Sequence, residues 1–500
     1  MKHNIYKSAA QVTVFSTVEK ALSFFYRIVL SRLIGAQGIG IYQICLSVFA
    51  VFLTFSSSGI PVTVSRLMSK ENALGNERGK YASVTAGVVC TLCLTIPLVA
   101  IAFLCKDAFS FAFGDERISG LFLILMPSLI INSVYAVMRG AFWGNKQFIA
   151  YSLIELVEDA VMVACGCLLI SGTNDAFDGA KGAIWAVVIS YVFSFVASLV
   201  YYFAKGGKFA PFKDRLKPLI SSATPVTAMR TYSSLLGSAI AVFLPFMLTT
   251  FAGVDADDAV SLYGIAVGMS LPVLYIPNSL IGSIAVVVAP EMSENYYRND
   301  VKKLKTDVEK TVKTSVLIAI FLTPLLFCLG DEIGVFLYAD KLSGALIKTY
   351  SFMLLPACIS MMTTTILNSL GCETKTLVYS LFGALVLVGC IVVLTPILSI
   401  HSYMIGTSLS YVLTALLNSR LLAKKCPSAH VEKYVFGCVI SGVCACLFGW
   451  FLDGILASFL PLFWQITIEG ICIFSFVIGC AYSFNLLSIK PIKKLLLKNY

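Results

Sequence analysis

Between residues 16 and 31, Ser16, Lys20, Ser23, Arg27 and Ser31 recur at spacings of three and four, which puts them on one face of a helix. Phe24, Phe25, Ile28 and Val29 fill the remainder. A row of cations on an apolar helix attracts anions, and arginine adds a fork of parallel hydrogen bonds that matches phosphate. Three further bases, Arg66, Arg139 and Arg230, join Lys20 and Arg27 as candidate anion-binding residues. A second row is acidic: Glu155, Glu158 and Asp159 in "YSLIELVEDAVMV" stand at i, i+3 and i+4 on one helix face. These acids have two readings, a site for a cation or ion pairs with the bases that fix helix positions. Glu19 adjoins the basic row, and Arg32 at its outer end is placed to snorkel.

The elements that must carry these rows are membrane helices. The 500 residues are 58% hydrophobic and 13% charged, with a mean hydropathy of +0.87. So little polar material cannot cover a soluble globule, and the expected fold class is an all-α polytopic membrane protein. Apolar windows long enough to cross a bilayer fall at fourteen places, roughly 10–34, 40–64, 83–104, 118–142, 152–171, 181–203, 219–250, 262–288, 312–330, 345–370, 376–398, 402–424, 433–452 and 462–484. With the N-terminus inside, inner segments carry 28 Lys and Arg against 5 in outer ones. That bias predicts fourteen spans with both termini cytoplasmic. The net charge of +10 therefore lies on the cytoplasmic face, and no nucleic-acid partner is expected. The start of the chain lacks a small-residue cleavage site after a short apolar core, so the first span reads as retained. Gly59 and Pro61 in span 2, and Pro272 and Pro277 in span 8, are candidate kink or gating positions, with kinked packing as the plain alternative.

Two stretches read as copies. "LMPSLIINSVYAVMRGAFWGNKQFIAYSLIEL" sets Pro127, Gly144 and Tyr151-Ser152 against Pro356, Gly371 and Tyr379-Ser380 of "LLPACISMMTTTILNSLGCETKTLVYSLFGAL", at offsets of 227 to 229. A weaker pair matches 40–76 with 261–300. The expected organisation is a six-span lobe (1–204), a basic linker (205–218), a second six-span lobe (219–432), and two C-terminal spans with a basic tail (433–500). Parallel repeats of this kind are a known transporter plan.

The segment "SRLIGAQGIGIYQICLSVFAVFLTFSSSGIPVTVSRLMSKENALGN" carries a basic first span ending R-L-x-G-x-x-G-x-G-x-Y, a G-I-P in span 2, and an S-R-x-x-x-x-E-x-x-x-G-N loop. In these features the chain resembles the stage V sporulation protein B-like branch of polysaccharide exporters, within the MOP superfamily that also holds MATE antiporters and lipid II flippases. The resemblance implies two six-helix bundles in a V around a central cavity, with spans 13 and 14 lining a groove for a lipid tail. It implies a flippase that moves an undecaprenyl-diphosphate-linked saccharide to the outer leaflet of the bacterial cytoplasmic membrane by alternating access. Partners would be that substrate and membrane lipids, the protein acting as a monomer, with H+, Na+ or the membrane potential as driving force and no cofactor. The first-span bases match Lys20, Arg27 and Arg32; span 8 departs by having no intramembrane base, and Arg230 of span 7 stands in. The rival reading is a MATE-type cation-coupled efflux antiporter, for which acids and aromatics would dominate the cavity.

Other chemistry is excluded. "GNERGK" is one residue short of a phosphate-binding loop and is followed by Tyr81. "DADD" at 255–258 has no outer segment long enough to build a catalytic domain around it, and "CTLC" at 90–93 lacks a second half-site. No enzyme activity and no metal site are expected.

Overall fold

The structure, a computed structural model, describes residues 2–173, 175–426, 432–456 and 461–483. Among them it is helical, without strands. The chain forms two compact units, Met1–Gly264 and Ile265–Tyr500.

The first unit holds α1 (Lys2–Ser57), α2 (Ile60–Ala73), α3 (Glu77–Leu104), α4 (Lys106–Phe113), α5 (Glu116–Gly144), α6 (Phe148–Ile170), α7 (Ala176–Ala204), α8 (Lys213–Ala252) and α9 (Ala256–Tyr263). Gly35 breaks α1, with φ 67° and ψ −173°, a conformation a side chain would resist. The two windows the sequence separates thus meet at an elbow. Just beyond it Gly40 lies against the Val260 carbonyl of α9, where a Cβ has no room. The basic-span glycine motif is therefore an elbow and a close crossing. Val64 and Met68 of α2, Val84 of α3, Val137, Met138 and Phe142 of α5, and Leu219 of α8 make one core.

The second unit begins in a π-helical stretch, Gly264–Ser270, and continues through α10 (Leu271–Leu274), α11 (Ile276–Tyr297), α12 (Val301–Cys328), α13 (Gly330–Tyr338), α14 (Lys341–Tyr350), a 3-10 turn at Ser351–Met353, α15 (Leu354–Ser369), α16 (Glu373–Leu398), α17 (His401–Lys425), α18 (Glu432–Leu456) and α19 (Leu462–Ser483). Pro277 opens α11 after the interruption at Tyr275, whereas Pro272 stands in the first turn of α10 where the π-helical stretch passes into α-helix without a break. The missing N–H of proline is harmless in a first turn. Val308, Val312 and Val316 of α12, Met362 and Ile366 of α15, and Ile473 and Val477 of α19 form the core.

Ten helices among the described residues are long and apolar enough to cross a membrane. Within the described residues all fourteen sequence windows fall on helices, several running across a short interruption between two. The count falls because Val14–Ala73 runs as one candidate, because every 18-residue stretch of α6 holds Glu155, Glu158 and Asp159, because those of α17 are too polar, and because α18 enters it only as the shorter apolar stretch Val439–Ile455.

Turns at matching places in the two sequence stretches share a backbone pattern. α2 and α11 both end with a left-handed residue, Gly75 (φ 67°) and Asn299 (φ 56°). The next amide then reaches back five residues, Asn76 N to Glu71 O and Asp300 N to Asn295 O, each at 3.0 Å. This is the Schellman way of ending a helix. Asn76 and Asp300 next cap α3 and α12, accepting from Gly79 N and Lys303 N. The turns after α5 and α15 match likewise: Lys146 (φ 58°) and Gly371 (φ 74°) are left-handed, and Gln147 N and Cys372 N bond Phe142 O and Leu367 O. Gly371 is thus the counterpart of Lys146, not of Gly144, which the letter-matching had paired with it. Gly144 is small for another reason, since a Cβ there would stand 2.8 Å from Met68 Cβ.

Candidate functional site: an acidic cavity and a two-arginine seam in the first unit

α1 and α6 pack together, which brings the row begun by Lys20 against the acidic face of α6. Glu19, Lys20 and Ser23 of α1 with Glu155, Glu158 and Asp159 of α6 line a cavity of 370 Å³. Ser23 Oγ donates to Asp159 Oδ2 at 3.4 Å. Arg139, on α5, donates from Nη1 to Glu155 Oε1 at 3.3 Å and lies over the Trp143 ring at 5.5 Å. Four carboxylates, one ammonium and one guanidinium therefore meet here, all of them legible in the sequence except their balance, which is acidic.

The basic row does not act as a unit. Lys20 and Ser23 open onto the cavity, Arg27 is half-buried beyond it, and Ser31 is buried, donating to its own helix at Ile28 O. Arg32 is exposed.

Arg66 and Arg230 lie on a separate seam, where α2 meets α8. α1 stops at Ser57 and α2 starts at Ile60 with Pro61 in its first turn, leaving backbone groups without helical partners. α8 supplies them. Arg230 Nη1 donates to Ser58 O at 3.3 Å, Gly59 N donates to Thr227 Oγ1 at 3.2 Å, and Arg66 Nη2 donates to Ser222 Oγ at 2.5 Å. Beside this seam Phe55, Ile60, Leu94, Ile220, Ala223 and Thr227 are among the residues lining a mostly apolar cleft of 440 Å³.

Residues that motif reading passed over also emerge. Glu71, the acid of the S-R-x-x-x-x-E-x-x-x-G-N loop, is 2% exposed. Its Oε1 meets Arg215 Nη1 at 2.7 Å and its Oε2 accepts from Asn76 Nδ2 at 2.6 Å. The loop motif is therefore a clamp joining α2, the head of α3 and the start of α8.

Residues 5–296 match the family described as "Polysaccharide biosynthesis protein". The chain belongs to that family. Among curated relatives in Bacillus subtilis, Stage V sporulation protein B is 23% identical over 470 residues, covering 89% of this chain and 88% of that protein. Lipid II flippase MurJ is 22% identical over 455 residues, covering 83% and 82%. Among solved structures, lipid II flippase MurJ in an inward closed conformation aligns with TM-score 0.71 at 14% identity, over 96% of this chain and 100% of that one. An inward-facing multidrug resistance MATE transporter of the MOP superfamily aligns with TM-score 0.69 at 15% identity, over 84% and 100%. This member of the polysaccharide biosynthesis family thus has the fold of MATE- and MurJ-type membrane transporters, as its loop and first-span motifs led one to expect. Of the relatives named here, MurJ is described as a lipid II flippase and the MATE protein as a multidrug resistance transporter.

Proposed function

We propose that the protein is a flippase of the bacterial cytoplasmic membrane that carries an undecaprenyl-diphosphate-linked saccharide from the inner to the outer leaflet by alternating access. Membership of the polysaccharide biosynthesis family across residues 5–296 carries this reading. The chain crosses the membrane fourteen times with both termini in the cytoplasm, and works as a monomer. Lys20, Arg27, Arg66, Arg139 and Arg230 serve the diphosphate, and Glu155, Glu158 and Asp159 bind the coupling cation. The break at Gly59-Pro61, the π-to-α change at Pro272 and the break before Pro277 bend as the substrate passes. A membrane potential negative inside favours outward movement of an anion by about 2.3 kcal/mol per charge per 100 mV.

One observation favours a second reading, cation-coupled export of organic cations: the cavity between α1 and α6 holds four carboxylates to one lysine. Proteoliposomes separate the two. The flippase moves a labelled polyprenyl-diphosphate saccharide between leaflets and leaves a cationic dye where it was. Dye export without lipid movement would reject the flippase reading.

A further inference from the structure

In the second unit one acid stands outside everything invoked so far. Glu469 on α19 is 0% exposed, and neither of its carboxylate oxygens has a hydrogen-bond partner among the described residues. It lies seven residues into the helix, about 10 Å from its start at 1.5 Å per residue. α19 packs on α12, α13 and α18. The titratable and charged groups that interact with Glu469 are Asp453 of α18, Glu332 of α13 and Cys328 of α12, with Lys348 of α14 behind them.

Most of these groups are already committed. Lys348 Nζ donates to Asp331 Oδ2 at 2.6 Å, and Gln465 Nε2 donates to Asp453 Oδ1 at 3.0 Å. Cys328 Sγ donates to Cys446 O at 3.6 Å. Glu332 Oε2 is buried and, like Glu469, without a partner among the described residues. Glu469 thus shares its enclosure with Asp453 and Glu332, and the nearby cation is engaged by another acid.

An ionised carboxylate buried without partners costs several kcal/mol, and neighbouring like charges add to that cost. A proton removes both. A metal ion would need a cage of ligands, and among the described residues no three His, Cys, Asp or Glu side chains are grouped to hold one. We propose that Glu469 is a proton-binding site that fastens α19 to α18. Protonated, the side chain fills a closed core beside Ile473 and Val477. Deprotonated, it repels Asp453 and Glu332 and loosens the helix pair. The stabilisation is present at low pH and lost as pH rises through the release of that proton.

The test uses the full-length protein in lipid nanodiscs, labelled with isotopically marked glutamate. Infrared spectra at neutral pH should show a protonated glutamate carboxyl that E469Q lacks and that replacing sodium by choline leaves unchanged. Thermal stability of the wild type should fall from mildly acidic to mildly alkaline pH, with the fall at least halved in E469Q. The same protonated band in E469Q, an ionised Glu469 at every pH, or a band that appears only when sodium is withdrawn would each overturn the proposal, the last by making the site a sodium site. Should E469Q fail to fold, D453N decides: with one repelling acid gone its stability must fall less steeply with pH than the wild type's, and an unchanged fall overturns the proposal.

Discussion

The loop after α2 and the loop after α11 have the same backbone and different chemistry. Both turn through a left-handed residue, reach back five residues with an amide, and cap the next helix with Asn76 or Asp300. In the first, the residue at the reach-back carbonyl is Glu71, buried and tied to Arg215. In the second it is Asn295, whose Nδ2 donates to Asp307 Oδ2 at 2.7 Å. The contrast widens at membrane depth. The first unit opens its acids onto a cavity beside Lys20, whereas the second seals Glu469 away. A turn repeats because positive φ and an unsatisfied helix end admit few solutions. Charges within the spans face no such rule and have diverged, one unit keeping wet acids and the other a dry one.

The largest expected difference comes from removing the buried acid of the first loop. E71A leaves Arg215 unpaired and should cost about 3–5 kcal/mol of stability, whereas N295A, which removes a hydrogen bond to a charged group, should cost about 1.5–3 kcal/mol. Denaturant titration in micelles compares the two, and equal losses would erase the distinction. Next, R139A strips Glu155 of its cation beside the cavity. Transport in proteoliposomes should fall about tenfold, equivalent to about 1.4 kcal/mol, while E469Q, remote from that cavity, should stay within a factor of about two, or under 0.5 kcal/mol. A smaller effect tests the shared backbone. G75A forces a Cβ into the left-handed region at about 1 kcal/mol, and N299G, already left-handed, should shift stability by no more than about 0.5 kcal/mol. Smallest is D257N. It frees an exposed guanidinium, Arg117, that Asp115 also holds at 2.9 Å, and melting curves should register less than about 0.5 kcal/mol.

Much of this was open to a reader of the sequence, because apolar length and helical spacing are local properties. Within the described residues all fourteen windows fall on helices, and the acidic face of span 5 does meet Lys20. The pairing of Gly144 with Gly371 failed because a shared letter concealed two needs, close packing at one and left-handed backbone at the other. The partners of Arg230 were hidden too, since a backbone carbonyl at a helix break leaves no mark in composition. Glu469 did leave a mark, a lone acid in an apolar span. Its isolation, however, depends on α12, α13 and α18 closing over it, and no local pattern records that.

The seam between α2 and α8 also bears on how the chain divides. By sequence, α8 opens the second copy, yet Thr227 and Arg230 repair the break at Ser58-Gly59, Ser222 holds Arg66 of α2, and the compact unit runs on to Gly264. A protein severed within 205–218 would leave its N-terminal fragment with an open wound that the other fragment alone can dress. Two such fragments, made separately, should find each other in the membrane.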